Sequence, residues 1–154
     1  MIFPGIDMAE KKVIIFVKSH QHYEGAEPED LELISEGMMD TAEDGTVTLT
    51  YDETELTGLE GTRTSFTIRD DTVTLSRTGQ VNSQMVFQKG RQHSSLFETP
   101  WGTMTVDIAT SQLANRLSDR GGILDIHYSI AVEHRVAGRN QFKIRVREIG
   151  RQTI

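Results

Sequence analysis

The chain has 154 residues, a formal net charge of −7 and no cysteine. This length suits one domain that buries roughly 70% of the surface exposed by the unfolded chain, so its stability requires neither a disulfide nor a metal. The lack of cysteine excludes disulfide scaffolds, thiolate zinc sites, iron–sulfur clusters and cysteine nucleophiles, and it is typical of a reducing compartment. The acidic balance argues against non-specific nucleic-acid binding, which depends on neutralising phosphates.

The charge is distributed unevenly along the chain. Residues 1–60 carry three basic and 15 acidic groups, whereas residues 61–154 carry 13 basic and eight acidic groups. Two interpretations stay open. Either strands from the two halves pair through opposite charges, or the halves form separate acidic and basic docking faces.

The beginning of the chain has no pattern typical of a targeting segment. A secretory signal places basic groups before its apolar run, and the opening MIFPGIDMAEKK does not. The longest apolar run, residues 13–17, is as long as a strand and far shorter than a bilayer span. We therefore expect a cytoplasmic protein without a membrane partner, in which residues 1–11 are a tail and residues 12–154 form a single domain.

The predicted elements are almost all strands. Thr, Ile and Val, which suit a pleated surface, number 17, 13 and 10. Apolar and polar residues alternate repeatedly, as at Val47, Leu49 and Tyr51, and this alternation indicates strands with one buried face. In chain order, the pattern predicts strands near residues 12–22, 31–41, 46–56, 62–69, 72–78, 82–89, 92–98, 102–110, 113–118, 122–135 and 139–149.

Turns and two ambiguous segments complete this prediction. Gly, Asn and Asp predict hairpin turns at residues 43–45, 70–71, 89–90, 121–122 and 138–140. The alternation slips between Ile108 and Leu113, which indicates either a β-bulge that joins two predicted strands or a short helix capped by Ser111. A second short helix could begin at Pro28.

Many strands joined by short turns, without helices for parallel crossovers, indicate an antiparallel meander. A sheet of about ten strands tends to curl and close, because closure removes its exposed edges. The predicted fold class is therefore all-β, with the meander closed into a barrel, and a β-sandwich is the alternative.

Four segments identify a family resemblance in addition to the strand pattern. In chain order they are YDETELTGLEGTRT (51–64), RTGQVNSQMVFQKG (77–90), FETPWGT (97–103) and DRGGILDIHYSI (119–130). Together they resemble the YwiB-like family of uncharacterised bacterial proteins, a domain of unknown function, over residues 12–149. The resemblance implies a calycin-type, lipocalin-like β-barrel from a bacterial cytoplasm. It implies no activity and no site residues, and Trp101 stands where the family more often has tyrosine.

The histidines give little support for metal binding or catalysis. His20 and His22 are two residues apart, so they lie on one face of a predicted strand, but no spacing supplies the third ligand that a metal requires. Asp125 and His127 form a similar pair without a G-x-S-x-G nucleophile motif. We therefore predict no catalytic residue, metal or cofactor, and we favour a non-enzymatic protein while leaving an enzyme open.

Four residues are candidates for contact with a small molecule. Arg77 continues an inward alternation and therefore needs a carboxylate such as Glu53 or Glu98, a carbonyl, or a bound anion. Candidate contacts in or at the mouth of the barrel are Arg77, Asn82, Trp101 and Tyr128. Asn82 has a second interpretation as a hydrogen-bonded turn residue, and the TPWG segment around Trp101 indicates a turn.

Lys143, Arg145 and Arg147 lie on the polar face of the last predicted strand, and we call them the basic stripe. They either pair with acidic strands or form a docking surface for an acidic partner or a second copy of the chain. No aromatic residue interleaves with them, so a platform for stacking nucleic-acid bases is not indicated. The leading hypothesis is a barrel that binds a small molecule, because barrels of about eight strands can hold one small ligand. The alternative is an interaction module or homodimer that acts through the basic stripe and the acidic first half.

Overall fold

The computed structural model describes residues 10–54 and 59–149, apart from the side chains of Thr99 and Val136. All its regular elements in this part are strands, and it contains no helix that could cross a membrane. The ten strands are β1 Glu10–Tyr23, β2 Glu29–Thr41, β3 Val47–Asp52, β4 Thr62–Arg69, β5 Thr72–Gly79, β6 Asn82–Gln88, β7 Gln92–Thr99, β8 Gly102–Ser118, β9 Gly121–Val132 and β10 Arg135–Glu148. Most of the predicted tail, residues 1–9, and the end of the predicted domain, residues 150–154, lie outside the described residues.

The strands form a closed antiparallel barrel. Each strand pairs with its neighbour in the chain, and β1 closes the barrel by pairing with β10 from Val13↔Glu148 to Tyr23↔Gly138. The prediction of an all-β meander closed into a barrel is confirmed, and the β-sandwich alternative is wrong. Closure gives β1 a hydrogen-bonded neighbour on both sides, which a sandwich edge strand would lack.

Both short helices considered from the sequence are absent from the described residues. The chain from Gly102 to Ser118 is one strand, and its register to β9 shifts between Thr110 and Gln112. This shift is the predicted β-bulge. At Pro28 the chain enters β2 one residue later. Pairing with neighbouring strands outweighs a single helical turn, because helix nucleation is costly and such a turn gains few hydrogen bonds.

Most of the predicted turns are confirmed. Connections between strands lie at residues 43–45, 70–71 and 89–90, as expected, whereas the turn predicted at residues 121–122 lies at residues 119–120. The two glycines at 121–122 begin β9 with φ angles of 103° and 132°. Their backbone conformation suits glycine, but the hairpin reverses before them.

The turn predicted at residues 138–140 is wrong. The chain reverses at Glu133 and His134, which both have positive φ, at 52° and 67°, as a tight type I′ hairpin requires. Gly138 lies within β10, where a Cβ atom would come within 2.6 Å of the carbonyl oxygen of His22. This glycine therefore allows close approach to β1 and does not form a turn.

Buried apolar side chains occupy one half of the barrel. In the half of the barrel that contains the start of β1, the inward-facing side chains are fully buried and apolar. Among them are Val13, Ile15, Met39, Leu49, Ile68, Val73, Ile108, Ile126 and Ile144. Four aromatic rings pack across the middle of the barrel: Phe66, Phe87, Tyr128 and Phe142. Their ring centroids are 4.9 Å apart for Phe87 and Tyr128 and 5.4 Å apart for Phe87 and Phe142. These rings separate the filled half from a cavity in the other half.

Candidate functional site

A cavity of about 550 Å³ occupies the second half of the barrel. It lies at the end where β1 finishes and β2 begins. Its wall is mainly apolar and continues the inward alternation of the strands, with Val17, Leu33, Leu75, Met85, Val106 and Ile130 among the lining residues. Phe66, Tyr128 and Phe142 of the aromatic group form part of the same wall. The barrel is therefore a filled core at one end and a ligand-sized space at the other.

A buried ion pair lies on the cavity wall. The Nε atom of Arg77 is 3.9 Å from Oε2 of Glu53, and the Glu53 side chain is only 2% exposed. The hydroxyl of Thr64 donates a short hydrogen bond to the same carboxylate. The predicted inward position of Arg77 and its pairing with Glu53 are both confirmed. Among the described residues, Nε of Arg77 has no hydrogen-bond partner, so a buried donor is left to be satisfied.

Two tyrosine hydroxyls add polar groups to this wall. Burial raises the pKa of Tyr51, and the negative charge of Glu53 raises it further. Burial also raises the pKa of Tyr128, whose oxygen accepts a hydrogen bond from Nδ2 of Asn140 at 3.2 Å. Both phenols therefore keep their protons at neutral pH. The Tyr128 oxygen is an acceptor for Asn140, and its O–H group is available to donate to an acceptor in the cavity.

The structure places the four sequence-predicted contacts at the same end of the barrel but in two settings. Arg77 and Tyr128 line the cavity. Asn82 begins β6, where its side chain exchanges two 3.2 Å hydrogen bonds with the backbone of Gly79 at the end of β5. Trp101 is 92% exposed at the tip of the β7–β8 turn. Neither Asn82 nor Trp101 is among the lining residues, so ligand contact by these two stays a prediction about the rim.

Sequence reasoning did not include Tyr51 among the candidate contacts and considered Glu53 only as a partner for Arg77. The signal was present, because the alternation of Val47 and Leu49 continues through Tyr51 to Glu53 and so predicts that all four face inward. The position of the cavity along this face depends on which inward residues are large, which the alternation does not report.

Two of the three residues of the basic stripe have apolar neighbours on β1, and the third has charged neighbours on both sides. Arg145 lies opposite Phe16 of β1, and its guanidinium carbon is 4.4 Å from the centroid of the Phe16 ring. Arg147 lies opposite Ile14. Lys143 lies between Lys18 of β1 and Asp125 of β9. Among the described residues, no member of the basic stripe forms an ion pair, so the cross-strand pairing considered from the sequence does not occur there.

The histidines lie away from the cavity. His20 is on the outer wall, with its Nδ1 atom 2.5 Å from Asp30, and His127 lies 3.5 Å from Asp125. Within residues 10–54 and 59–149 no three His, Asp or Glu side chains are grouped closely enough to hold a metal.

One serine lies near a histidine and an aspartate, but the arrangement does not resemble a catalytic triad. The hydroxyl of Ser94 donates to Asp107 at 2.5 Å, and His134 contacts the other oxygen of Asp107 at 3.2 Å. The hydrogen bond from Ser94 lowers the pKa of Asp107, and His134 contributes in the same direction. Because the serine bonds to the carboxylate and not to the imidazole, no base activates it as a nucleophile.

An all-antiparallel barrel, filled at one end and hollow at the other, defines the structural class of this protein. The family model described as Domain of unknown function (DUF1934) matches residues 15–144, and the chain belongs to this family. A comparison with curated proteins found no match. Among solved structures, the chain is similar to the ywiB protein from Bacillus subtilis, with a TM-score of 0.76 and 17% sequence identity, covering 94% of this chain and 98% of the other. At this identity the likeness extends to the fold alone.

Proposed function

We propose that this protein binds a small, mainly apolar molecule in the open half of its barrel. The cavity of about 550 Å³ carries this proposal, because its size falls in the range of ligand sites and its wall is apolar with a few convergent polar groups. A barrel whose only purpose was structural would gain stability by filling this space, as its other half does. This mode of binding is the one that a calycin or lipocalin-like barrel would use.

The polar groups on the wall favour a ligand that offers a neutral oxygen acceptor. Arg77 presents an unpartnered N–H group, and Tyr128 has an O–H group to donate. The described lining residues also include two carboxylates, Glu29 and Glu53, against one guanidinium. An anionic ligand would add repulsion from these carboxylates to the cost of desolvation, whereas a carbonyl or ether oxygen accepts hydrogen bonds from both donors without adding charge.

We place this function in the bacterial cytoplasm, because a cysteine-free chain suits a reducing compartment. Binding is proposed in preference to catalysis. Among the described lining residues, Arg77 and Glu53 form an ion pair, Tyr51 and Tyr128 are buried phenols, and no nucleophile–base pair is seen.

The test compares two tryptophan substitutions on β9, one that fills the cavity and one that lies on the outer wall. Ile130→Trp puts a large ring into the cavity, and Ile123→Trp puts the same ring on the outside of the same strand, where Ile123 is 39% exposed. We expect native mass spectrometry of gently purified wild-type protein to show a small-molecule adduct that is lost on denaturation. The adduct should also be lost in Ile130→Trp and kept in Ile123→Trp.

A defined probe set tests the head group of the ligand. In NMR titrations, a medium-chain methyl ketone should bind at least tenfold more tightly than the alkanoate or the alkane of the same length, with shifts at residues of the cavity wall. Equal adduct in both tryptophan variants would place the binding elsewhere and overturn the proposal. The absence of an adduct together with no saturable binding of any probe would overturn it as well.

The outer face of β2, β1 and β10 supports a second function, the formation of a homodimer. Across this face, Ile34 pairs with Phe16 and Phe16 pairs with Arg145, so an apolar centre lies between an acidic strand and a basic one. Ile34 is 69% exposed. Its neighbours on the outer face of β2 are Glu32 and Glu36. We infer that a second copy covers this face, because a two-fold axis parallel to the strands places the acidic β2 of each copy opposite the basic β10 of the other.

Charge reversal tests this dimer. The double variant Arg145→Glu/Arg147→Glu should be monomeric in analytical ultracentrifugation at concentrations where the wild type dimerises. Mixing it with Glu32→Arg/Glu36→Arg should restore a mixed dimer, because the reversed charges again face opposite charges. Arg63→Glu/Arg69→Glu, a matched double reversal on β4, should leave the dimer intact. A wild type that stays monomeric, or one that instead retains an acidic protein through the basic stripe, would overturn the homodimer.

A further inference from the structure

We propose that the outer wall carries a second, separate binding site, for a small molecule that bears a phosphate monoester. A groove of about 520 Å³ crosses the outer surface of β1, β10, β9 and β8 at the end of the barrel that holds the cavity. We call it the histidine groove, after its lining residues His20, His22 and His127, which share it with Arg139 and Gln141. Of the described residues, only Tyr128 lines both this groove and the cavity.

The strand register brings these side chains together. On β1, His20 and His22 face outward in alternation with the buried Ser19 and the half-buried Gln21. Pairing with β10 places His20 opposite Gln141 and His22 opposite Arg139. Pairing of β10 with β9 then places His127 beside Gln141. Three strands, β1, β10 and β9, therefore contribute to one row of nitrogen-bearing side chains, although β1 is distant in sequence from the other two.

Small side chains and a bulge form the depression. Ala109, Ser111 and Ser129 line the groove, and none of them is large enough to fill it. Ser111 is the extra residue at the register shift of β8, and its hydroxyl donates a 3.2 Å hydrogen bond to the backbone oxygen of His127. β-Bulges redirect side chains in this way and are frequent beside functional sites.

The electrostatic character of the groove favours an anion. Its described lining includes a guanidinium and three imidazoles but no carboxylate. Arg139 forms no ion pair with a described residue, so its five N–H donors are available. The carboxylates of Asp30 and Asp125 contact the imidazoles of His20 and His127, and Asp125 also accepts a 3.2 Å hydrogen bond from the Gln141 amide. They hold these rings in place without themselves lining the groove.

Phosphate is the anion that this donor set fits best. The planar fork of an arginine matches two phosphate oxygens, and the remaining oxygen can accept from the imidazole of His22 and from the second amide N–H of Gln141, whose first N–H donates to Asp125 at 3.2 Å. A groove of this volume is much larger than a phosphate ion, so the ligand that fills it carries an organic group. The absence of a large apolar surface among Ala109, Ser111, Ser129 and Gln141 favours a polar organic group with hydroxyls.

The experiment uses glucose 6-phosphate as the organic probe, with inorganic phosphate and chloride at equal ionic strength as comparisons. In titrations followed by ¹H–¹⁵N NMR, we expect saturable shifts of the amides of Gln141 and Ser129 with glucose 6-phosphate. Inorganic phosphate should bind at least threefold more weakly, and chloride should give no saturable shift.

Arg139→Gln should weaken the binding of glucose 6-phosphate at least tenfold, and His22→Gln should weaken it severalfold. Arg91→Gln removes the same charge from an exposed position in the β6–β7 connection and should leave the affinity within twofold of the wild type. If Arg139→Gln and Arg91→Gln weaken binding equally, the effect arises from the net charge of the protein alone, and the proposed site is wrong. Inorganic phosphate that binds as tightly as the ester would overturn the assignment to a monoester. Because the methyl ketone expected to fill the cavity carries no phosphate, and because His22 and Arg139 lie outside the described cavity wall, failure here is distinguishable from failure of the proposed function.

Discussion

Replacing Phe87 by alanine is expected to lower the free energy of unfolding by about 3–5 kcal/mol. Phe87 is fully buried, and its ring packs edge-on against both Tyr128 and Phe142. Removing the ring loses the free energy gained by burying it away from water and the free energy of its contacts with two neighbouring rings. It also opens a void in the layer that separates the filled half of the barrel from the cavity, and the closed barrel restricts how far the walls can collapse to fill that void.

Urea denaturation followed by circular dichroism measures this loss. Phe87→Leu keeps most of the apolar volume and should cost clearly less than the alanine variant. Leu96→Ala removes an apolar side chain that is 62% exposed, and it should change the free energy of unfolding by no more than about 0.5 kcal/mol. A loss of less than about 1 kcal/mol for Phe87→Ala would contradict the central place given to this ring.

Replacing Glu53 by glutamine is expected to lower the free energy of unfolding by about 3 kcal/mol. The substitution keeps the size of the side chain but leaves the guanidinium of Arg77 on the cavity wall without a counter-charge. It also weakens the hydrogen bond that Thr64 donates to the carboxylate. The magnitude is at the lower end for a broken buried pair, because the Arg77 side chain is 21% exposed and the two charged atoms are 3.9 Å apart.

A double variant separates the ion pair from simple packing. Glu53→Gln/Arg77→Met removes both charges, and it should recover most of the stability lost by Glu53→Gln, because no unpaired charge remains. Asp52→Asn breaks the exposed contact between Asp52 and Arg63 and should cost no more than about 1 kcal/mol. If the double variant is as unstable as Glu53→Gln, the loss does not arise from the uncompensated charge of Arg77.

The architecture of the barrel was predictable because alternation is a strong and local signal. Every second residue of a strand faces the same side, so Val47, Leu49 and Tyr51 identified the inward face without any knowledge of the partner strands. The same rule predicted that Arg77 faces inward. Since an inward charge needs a counter-charge, it also made Glu53 a candidate partner.

Features set by contacts between distant residues were not predictable. Glycine is common in turns, but at position 138 its lack of a side chain is needed for the close approach of β1 at His22. The actual turn at Glu133 and His134 contains no glycine and depends on the pairing of β9 with β10 on either side. Asn82 and Trp101 lie where strands end, and there the turn geometry decides where a side chain points.

The histidine groove was missed for a related reason. His20, His22 and His127 were visible as histidines, and the first two were assigned to one face of a strand. The proximity of Arg139 and His127 depends on the register of β1 with β10 and of β10 with β9. Register follows from the complete barrel, so a single strand pattern does not contain it.

The order of strands around the barrel also determines the conformational entropy that the chain loses as each pair of strands forms. Nine of the ten neighbouring pairs are hairpins or short connections, so each can form by closing a small loop. The remaining pair, β1 with β10, joins the two ends of the described chain, from Val13 and Glu148 onward. The entropic cost of closing this loop falls steeply once the intervening strands are paired, because those strands already bring β1 and β10 together. Closure of the barrel is therefore the pairing step with the longest sequence separation, and we expect it to follow formation of the local hairpins. The two strands that meet there are both 14 residues long, and their extended hydrogen-bonded ladder stabilises the closed barrel.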